Sequence, residues 1–390
     1  MSVSAKQPFL PFHRPSIDRD EIDAVVDTLR SGWLTMGPKT RAFEDAFAAA
    51  IGAPHAVAVS SATAGLHLGL DALGIGPGDD VLVPTMTFTS TAATVIHTGA
   101  RPVLVDCEPE TLNLSVADAA RKWTARTKAI VPVHFAGHPC DMDAILTLAR
   151  ERGAAVMEDA AHALAARYRG RPIGTLGDLT VFSFYATKNL TTGDGGMVTT
   201  REAALAERVT TRRLHGMTRD AWRRYSSEGS WRYDVAYPGF KYNMTDLNAA
   251  LGLVQLKRLP ALQAERRRIA AEYRAALADL TALELPACKA DVEHAWHLFV
   301  VRVHPAQLRI GRNQVIQELT AAGVGTSVHF VPLHEHSYYR DALGVRGEVL
   351  PCASAEWQRV ISLPLFPGMT ADEVDRVTDT LAGIIRRHRR

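Results

Sequence analysis

Between residues 55 and 200, short apolar runs alternate with helical stretches, and this alternation limits the fold more than any other feature of the 390-residue chain. Runs at 55–59, 81–83, 102–105, 129–133, 154–157 and 179–185 have strand length, while 66–73, 116–124 and 142–152 carry helical spacing. Strands joined through helices pair in parallel, and a parallel sheet needs cover on both faces. An α/β fold with a largely parallel sheet between helices is therefore predicted. Ligands of such folds bind beyond the C-terminal ends of the strands.

Four of those strand ends carry reactive or polar groups. After 55–59, the turn Ser60-Ser61-Ala62-Thr63-Ala64-Gly65 leads straight into a helical run, leaving unbonded N–H groups and a positive helix end at the turn. A phosphate suits that turn; so does a serine N-cap with no ligand. Phe88, beyond the run at 81–83, is either core or a stacking partner for a flat ring. The run at 154–157 ends in Glu158-Asp159-Ala160-Ala161-His162, where Asp159 is either a working carboxylate or the cap of the next turn. Lys188 stands between the aromatic run 181–185 and Gly193, Gly195 and Gly196. Against an apolar wall its amine loses water and becomes the neutral nucleophile; a surface lysine in a hairpin loop is the other reading. Phosphate cradle, ring stacker, carboxylate and amine together are what pyridoxal phosphate requires. The carboxylate keeps the pyridine nitrogen protonated, and the lysine holds the cofactor and moves a proton. The glycines at 193–196 precede a strand and not a helix, so they are no dinucleotide fingerprint, and neither a P-loop nor a nucleophile elbow occurs.

Helices are also predicted at 18–29, with Ile22, Val25, Val26 and Leu29 at helical spacing, and at 39–51, with Phe43, Phe47 and Ile51 on one side. The loop between them holds Trp33 and Thr35, for packing or for substrate contact. From 245 to 277 the pattern is helical, interrupted at Pro260, as suits a connection between domains. Strands at 295–303 and 327–331 and helices at 314–322 and 371–387 predict a smaller C-terminal α/β domain. The chain thus divides into 1–250, a large cofactor-binding domain with an N-terminal arm, and 251–390.

A net charge of +2 gives no reason to expect nucleic acid, and Arg386-Arg387-His388-Arg389-Arg390 reads as a solvated, frayed helix end. Cys107, Cys140, Cys288 and Cys352 are scattered without zinc spacing, which predicts no metal and reduced thiols in a cytoplasm. Pro8, Pro11 and Pro15 among charged residues predict no signal peptide, and no apolar stretch is long enough to span a membrane.

Six segments in order, 31–38 (SGWLTMGP), 60–67 (SSATAGLH), 158–163 (EDAAHA), 182–196 (FSFYATKNLTTGDGG), 238–246 (PGFKYNMTD) and 362–368 (SLPLFPG), resemble the DegT/DnrJ/EryC1/StrS sugar aminotransferases. The resemblance runs from Pro11 to about Thr380 and implies fold type I, with homodimers that share active sites. By that resemblance Lys188 would carry pyridoxal 5'-phosphate and Asp159 would pair with its pyridinium nitrogen. Ala62, Thr63 and Ser183 would hold the phosphate, Phe88 would stack on the ring, and His162 would lie near its other face or its phenolic oxygen. Asn243 and Lys241 would reach in from the neighbouring subunit, while His329, Tyr185 and Thr35 would face the substrate. Glutamate would give its amino group and leave as 2-oxoglutarate; the acceptor would be the 4-keto carbon of a UDP- or dTDP-linked deoxy sugar. His162 looks like members acting at C4, where those acting at C3 more often carry Gln. A 3-keto sugar or a ketocyclitol stays open as acceptor. A catalytically silent, ligand-binding regulator is the alternative that intact Lys188 and Asp159 argue against. Lys188 also argues against the dehydrating branch, which has histidine there. The turn 60–65 and the run 239–246 look like the enzyme that makes UDP-4-amino-4-deoxyarabinose, but Val331-Pro332-Leu333-His334 replaces a different segment of that enzyme, and Asp194 stands where the family usually has Glu. For the nucleotide diphosphate, Lys241, Arg212-Arg213 and Arg223-Arg224 are candidate cations, a solvated helix face being the other reading of each arginine pair.

Overall fold

Seven strands form the central sheet, in the order His55–Val59, Gly196–Thr200, Leu179–Ser183, Ala155–Asp159, Thr127–Ile130, Asp80–Pro84 and Arg101–Val105. The structure is a computed structural model and describes residues 8–217 and 233–390. The five strands from Leu179–Ser183 to Arg101–Val105 are parallel. Gly196–Thr200 is antiparallel to both neighbours, so His55–Val59 points the same way as those five. Val59 lies opposite Gly196, and Gly196 opposite Ser183. A Cβ on residue 196 would meet the Ala62 nitrogen at 2.8 Å and the Phe182 carbonyl at 2.9 Å. Only glycine lets the hydroxyl turn and the lysine-bearing strand close on each other there.

The helix Asp246–Leu277 ties the rest to this sheet. Its first part gives Ala249 and Leu259 to the core beneath the large sheet. Its last part gives Ile269, Ala270, Tyr273 and Leu277 to a second core, around the antiparallel sheet Leu283–Glu284, Phe299–Val303 and Val360–Leu363. The predicted interruption at Pro260 does not occur: Pro260 lies inside the helix on its exposed side, where water can serve the carbonyl that loses its donor. Position 250 falls near the start of this helix. The buried Asp246 carboxylate accepts the N–H groups of Gly37, Lys39 and Thr40 at 2.8, 3.0 and 2.8 Å and the Thr40 hydroxyl at 2.7 Å. It thereby caps the helix Pro38–Ile51, which buries Phe43, Phe47 and Ile51.

Helix Arg19–Ser31 starts with a capping box between Asp18 and Glu21. Its buried residues are Glu21 and Thr28, whereas Ile22 is 54% and Leu29 52% exposed. Glu21 accepts from Gln255 at 2.6 Å and pairs with Arg258, which turns the apolar row away from its own chain.

Three expectations are corrected. Residues 327–331 form no strand beyond a single bridge from Ser327 to Ser362. His329 and Phe330 both line one cavity, and a pleated strand would send consecutive side chains to opposite faces. The strand expected over 295–303 begins only at Phe299 for the same reason, His297 and Leu298 sharing that cavity. The arginine-rich end is docked, not frayed: Arg389 bridges Leu308, the Arg390 amide donates to the Gln307 carbonyl at 3.0 Å, and Arg387 meets Glu318 at 2.7 Å. No helix among the described residues is long and apolar enough to cross a membrane.

Asp246→Ala leaves four donors without their acceptor and should lower unfolding stability by about 3 kcal/mol. Asp246→Asn, which keeps one oxygen, should cost less. Urea midpoints with an unchanged slope would establish both.

Candidate active site

Beyond the ends of the His55–Val59, Ala155–Asp159 and Leu179–Ser183 strands opens a cavity of about 450 Å³. The Ser61 hydroxyl accepts the Ala64 N–H at 3.0 Å, so the N-cap exists, and Ala62 and Thr63 line the cavity at the positive end of the Ala62–Ala72 helix. Ser183 joins them from the end of its own strand. Helix end and hydroxyls form one anion-binding corner.

Asp159 faces this corner as the last residue of its strand and is buried. The Thr91 hydroxyl donates to its Oδ2 at 2.8 Å and the Ala161 N–H to its Oδ1 at 3.1 Å. Thr91 has then spent its proton, so its oxygen accepts from Thr87, 2.8 Å away. Burial raises the Asp159 carboxyl above its ordinary range, and the hydrogen bond from Thr91 is the main opposing effect. The next residue back, Glu158, is buried as well and meets the His134 Nε2 at 3.0 Å, the Gly177 N–H at 2.8 Å and the Thr180 hydroxyl at 2.8 Å.

Lys188 lines the same cavity, and loss of water lowers its amine to about 8, with Asp159 pulling the other way. Lys188 is half-buried in the cavity wall, which disfavours the reading of a surface lysine in a hairpin loop. Four imidazoles lie around it, those of His13, His162, His297 and His329. Burial, aided by the charge on Lys188, holds His329 at about 4; burial and then Arg266 hold His13 there too. His162 and His297 are pushed well below the ordinary histidine value, again chiefly by burial. All four are neutral near pH 7. The His162 ring stacks on Phe330 at 5.8 Å, and its buried Nδ1 has no hydrogen-bond partner among the described residues. His329 meets the Ser362 hydroxyl at 2.8 Å and stacks on Phe12 at 5.6 Å. Phe88, 60% exposed, and Tyr185, 52% exposed, stand on the open side.

Not every residue singled out in the sequence is in this cavity. Thr35 is exposed, its carbonyl accepting the Asp246 N–H at 3.1 Å. Lys241 donates to the Asn243 Oδ1 at 2.6 Å, and Asn243 is bridged to Val59; neither lines the cavity of its own chain. Arg212 pairs with Asp71 at 2.9 Å and lies over the Tyr237 ring, while buried Arg213 pairs with Glu44. Both are structural ion pairs, so neither the diphosphate role nor the solvated-face reading fits them. Arg223 and Arg224 lie outside the described residues. Phe12, His13, Thr87, Thr91, His297 and Phe330 were not singled out. Thr91 lies in the short helix Ser90–His97 and the others in the N-terminal arm or in irregular segments, where no periodicity marks them.

The profile of the DegT/DnrJ/EryC1/StrS aminotransferase family matches residues 15–382. The chain belongs to that family. It is a sugar aminotransferase that uses pyridoxal phosphate. It is 49% identical over 385 residues to the spore coat polysaccharide biosynthesis protein SpsC of Bacillus subtilis, covering 98% of this chain and 99% of SpsC. Spr1654 of Streptococcus pneumoniae, solved in PLP and PMP forms, superposes with a TM-score of 0.91 at 37% identity, over 97% of this chain and 99% of that one. DesV of S. venezuelae, solved in complex with a ketimine intermediate, gives 0.88 at 35% identity over 98% and 100%. The donor set of this aminotransferase fits a flat, phosphorylated aldehyde. It offers a positive helix end, an enclosed carboxylate, an amine shorn of water, and a buried His162 Nδ1 that lacks a partner among the described residues.

Two outcomes are expected. In cofactor-free protein, Lys188 should react with a small aldehyde and borohydride at a rate that falls tenfold per pH unit below about 8 and levels above it, because only the free amine attacks; peptide mass spectrometry across pH checks this. Thr91→Val should weaken pyridoxal phosphate binding about tenfold, with Thr91→Ser restoring most of it, as equilibrium dialysis would read.

Proposed function

We propose that this aminotransferase moves the amino group of glutamate to the 4-keto carbon of a nucleotide-linked, UDP or dTDP, deoxy sugar. The observation that carries the reading is the pairing of Lys188 with Asp159 across one cavity whose wall also holds His162, the histidine of the EDAAH segment. Bound pyridoxal phosphate supplies an electron sink that makes the C–H bond beside the nitrogen acidic.

The chain's own residues do the rest. Ala62, Thr63 and Ser183 hold the phosphate in the anion-binding corner. Asp159, whose charged form the Thr91 hydroxyl and Ala161 amide favour against burial, would hold the pyridine nitrogen in its protonated form, and Phe88 would cover one ring face. Lys188 carries the cofactor. Once displaced, its amine takes a proton from the donor's α-carbon and later delivers one to the sugar carbon; a pKa near neutrality suits both transfers. His162 sits by the other ring face or the phenolic oxygen, and His329 and Tyr185 meet the substrate.

The exposed row of Ile22 and Leu29 supports a homodimer, since an unpaired apolar helix face invites a second surface. In that dimer Asn243, Lys241 and Thr35 of one subunit complete the site of its partner. SpsC acts in polysaccharide biosynthesis by its name, which agrees with a sugar nucleotide as acceptor. A cytoplasmic setting agrees with the free cysteines.

With glutamate as donor, a panel of UDP-, dTDP- and GDP-linked 4-keto sugars should yield a 4-amino product from at least one UDP or dTDP compound, read by mass spectrometry and NMR. Lys188→Ala should lower that turnover by about 10⁴-fold. Amination at C3, or none with any sugar nucleotide, would overturn the reading.

A further inference from the structure

His13 and His297 lie on segments far apart in the chain, yet each is anchored to a residue within two positions of Lys188, Ala186 and Asn189 respectively. The His13 Nε2 meets the Ala186 carbonyl at 3.1 Å. A carbonyl only accepts, so Nε2 carries the hydrogen, and a neutral ring then leaves Nδ1 as a bare acceptor. His297 is fixed through a longer chain. Asn189 donates from its amide nitrogen to the Ala295 carbonyl at 2.8 Å and to the Gln263 Oε1 at 3.2 Å. Those two bonds settle which end of the Asn189 amide is oxygen, and that oxygen accepts from the His297 Nδ1 at 3.1 Å. The hydrogen of His297 is thus on Nδ1, and its unanchored Nε2 is a second bare acceptor on the cavity wall. Burial, together with the charge of buried Arg266, keeps both rings from gaining a second hydrogen.

We infer that His13 and His297 read the sugar, each accepting a hydrogen bond from a ring hydroxyl, the one on C3 beside the reacting C4 or the one on C2 beyond it. This inference rests on the proposed sugar-nucleotide substrate and adds the residues that select it. A 4-keto-6-deoxyhexose presents O–H donors on C3 and C2, to one side of its carbonyl. Glutamate presents carboxylates, whose lone pairs a bare imidazole nitrogen repels. Both rings are held relative to the backbone on either side of Lys188, so they register hydroxyls against the amine itself. A polar site built this way rejects an analogue without its hydroxyl far more strongly than an apolar pocket rejects an extra group.

The two half-reactions separate this role from a structural one. His13→Phe and His297→Phe keep a ring of similar size and lose the acceptor. Each should slow single-turnover amination of a dTDP- or UDP-linked 4-keto-6-deoxyhexose about tenfold more than it slows the half-reaction with glutamate. Calorimetric binding of the amino-sugar product should weaken by a similar factor. His13→Asn, which sets an amide oxygen near the position of Nδ1, should recover part of the loss. With the parent enzyme, a substrate analogue lacking the hydroxyl concerned should bind about tenfold more weakly, and the matching Phe variant should no longer tell the two apart. Equal losses in both half-reactions, or product affinity and hydroxyl discrimination that the substitutions leave intact, would overturn the assignment while the sugar substrate stood. A parent enzyme that aminates no nucleotide-linked sugar would sink the proposed substrate and this inference together.

Discussion

A carboxylate cut off from water, with one hydrogen-bond donor on each oxygen, is the feature on which this structure turns. Burial alone pushes Asp159 towards its neutral form. The fold answers with one donor on each oxygen: the Ala161 amide from the turn after the strand, and the Thr91 hydroxyl from the helix Ser90–His97. The amide is local, two residues on from Asp159, whereas the Thr91 hydroxyl comes into reach because the parallel sheet brings the ends of several strands to one edge. The amine of Lys188 is tuned by the same loss of water in the opposite sense. One cavity thus moves an acid up and a base down.

The enclosure is assembled from both parts of the chain. His329, Phe330 and Leu363 come from the C-terminal part, His297 from the crossing into it, and Phe12 and His13 from the N-terminal arm. Arg266 sits where these meet. Its guanidinium is 1% exposed and donates to the carbonyls of Trp296, His297 and Leu365. No carboxylate opposes it among the described residues, and burial lowers it to about 9. Its field adds to that of Lys188 in keeping the neighbouring imidazoles neutral.

The parallel sheet and the N-capped helix start at Ser61 were readable because each depends on local pattern. Ser61, Asp159 and Lys188 all stand within a few residues of an apolar run, so strand ends and chemistry coincided in the sequence. The same method failed at Ser327–Ser362, where one bridge stands in place of a strand, because consecutive residues both serve the cavity. It failed at Arg212 and Arg213 because ion-pair partners 141 and 169 positions away leave no trace in local spacing. Thr91, His13 and His297 were silent for a related reason: each acts through a hydrogen bond to a group remote in sequence or at an irregular bend. The C-terminal arginines looked free only because Glu318 and the backbone near Leu308 cannot be foreseen from composition.

The helix Asp246–Leu277 belongs to both cores at once, and this bears on how the molecule comes apart. A rod shared by two packed interiors couples their melting, since loosening either end strips contacts from the one element the other needs. Truncation within its opening turns would take away the surface beneath helices Arg19–Ser31 and Pro38–Ile51 along with the whole smaller sheet. The two halves are therefore poor candidates for separate expression, and grafting the C-terminal part of a homologue calls for exchanging the entire rod with it.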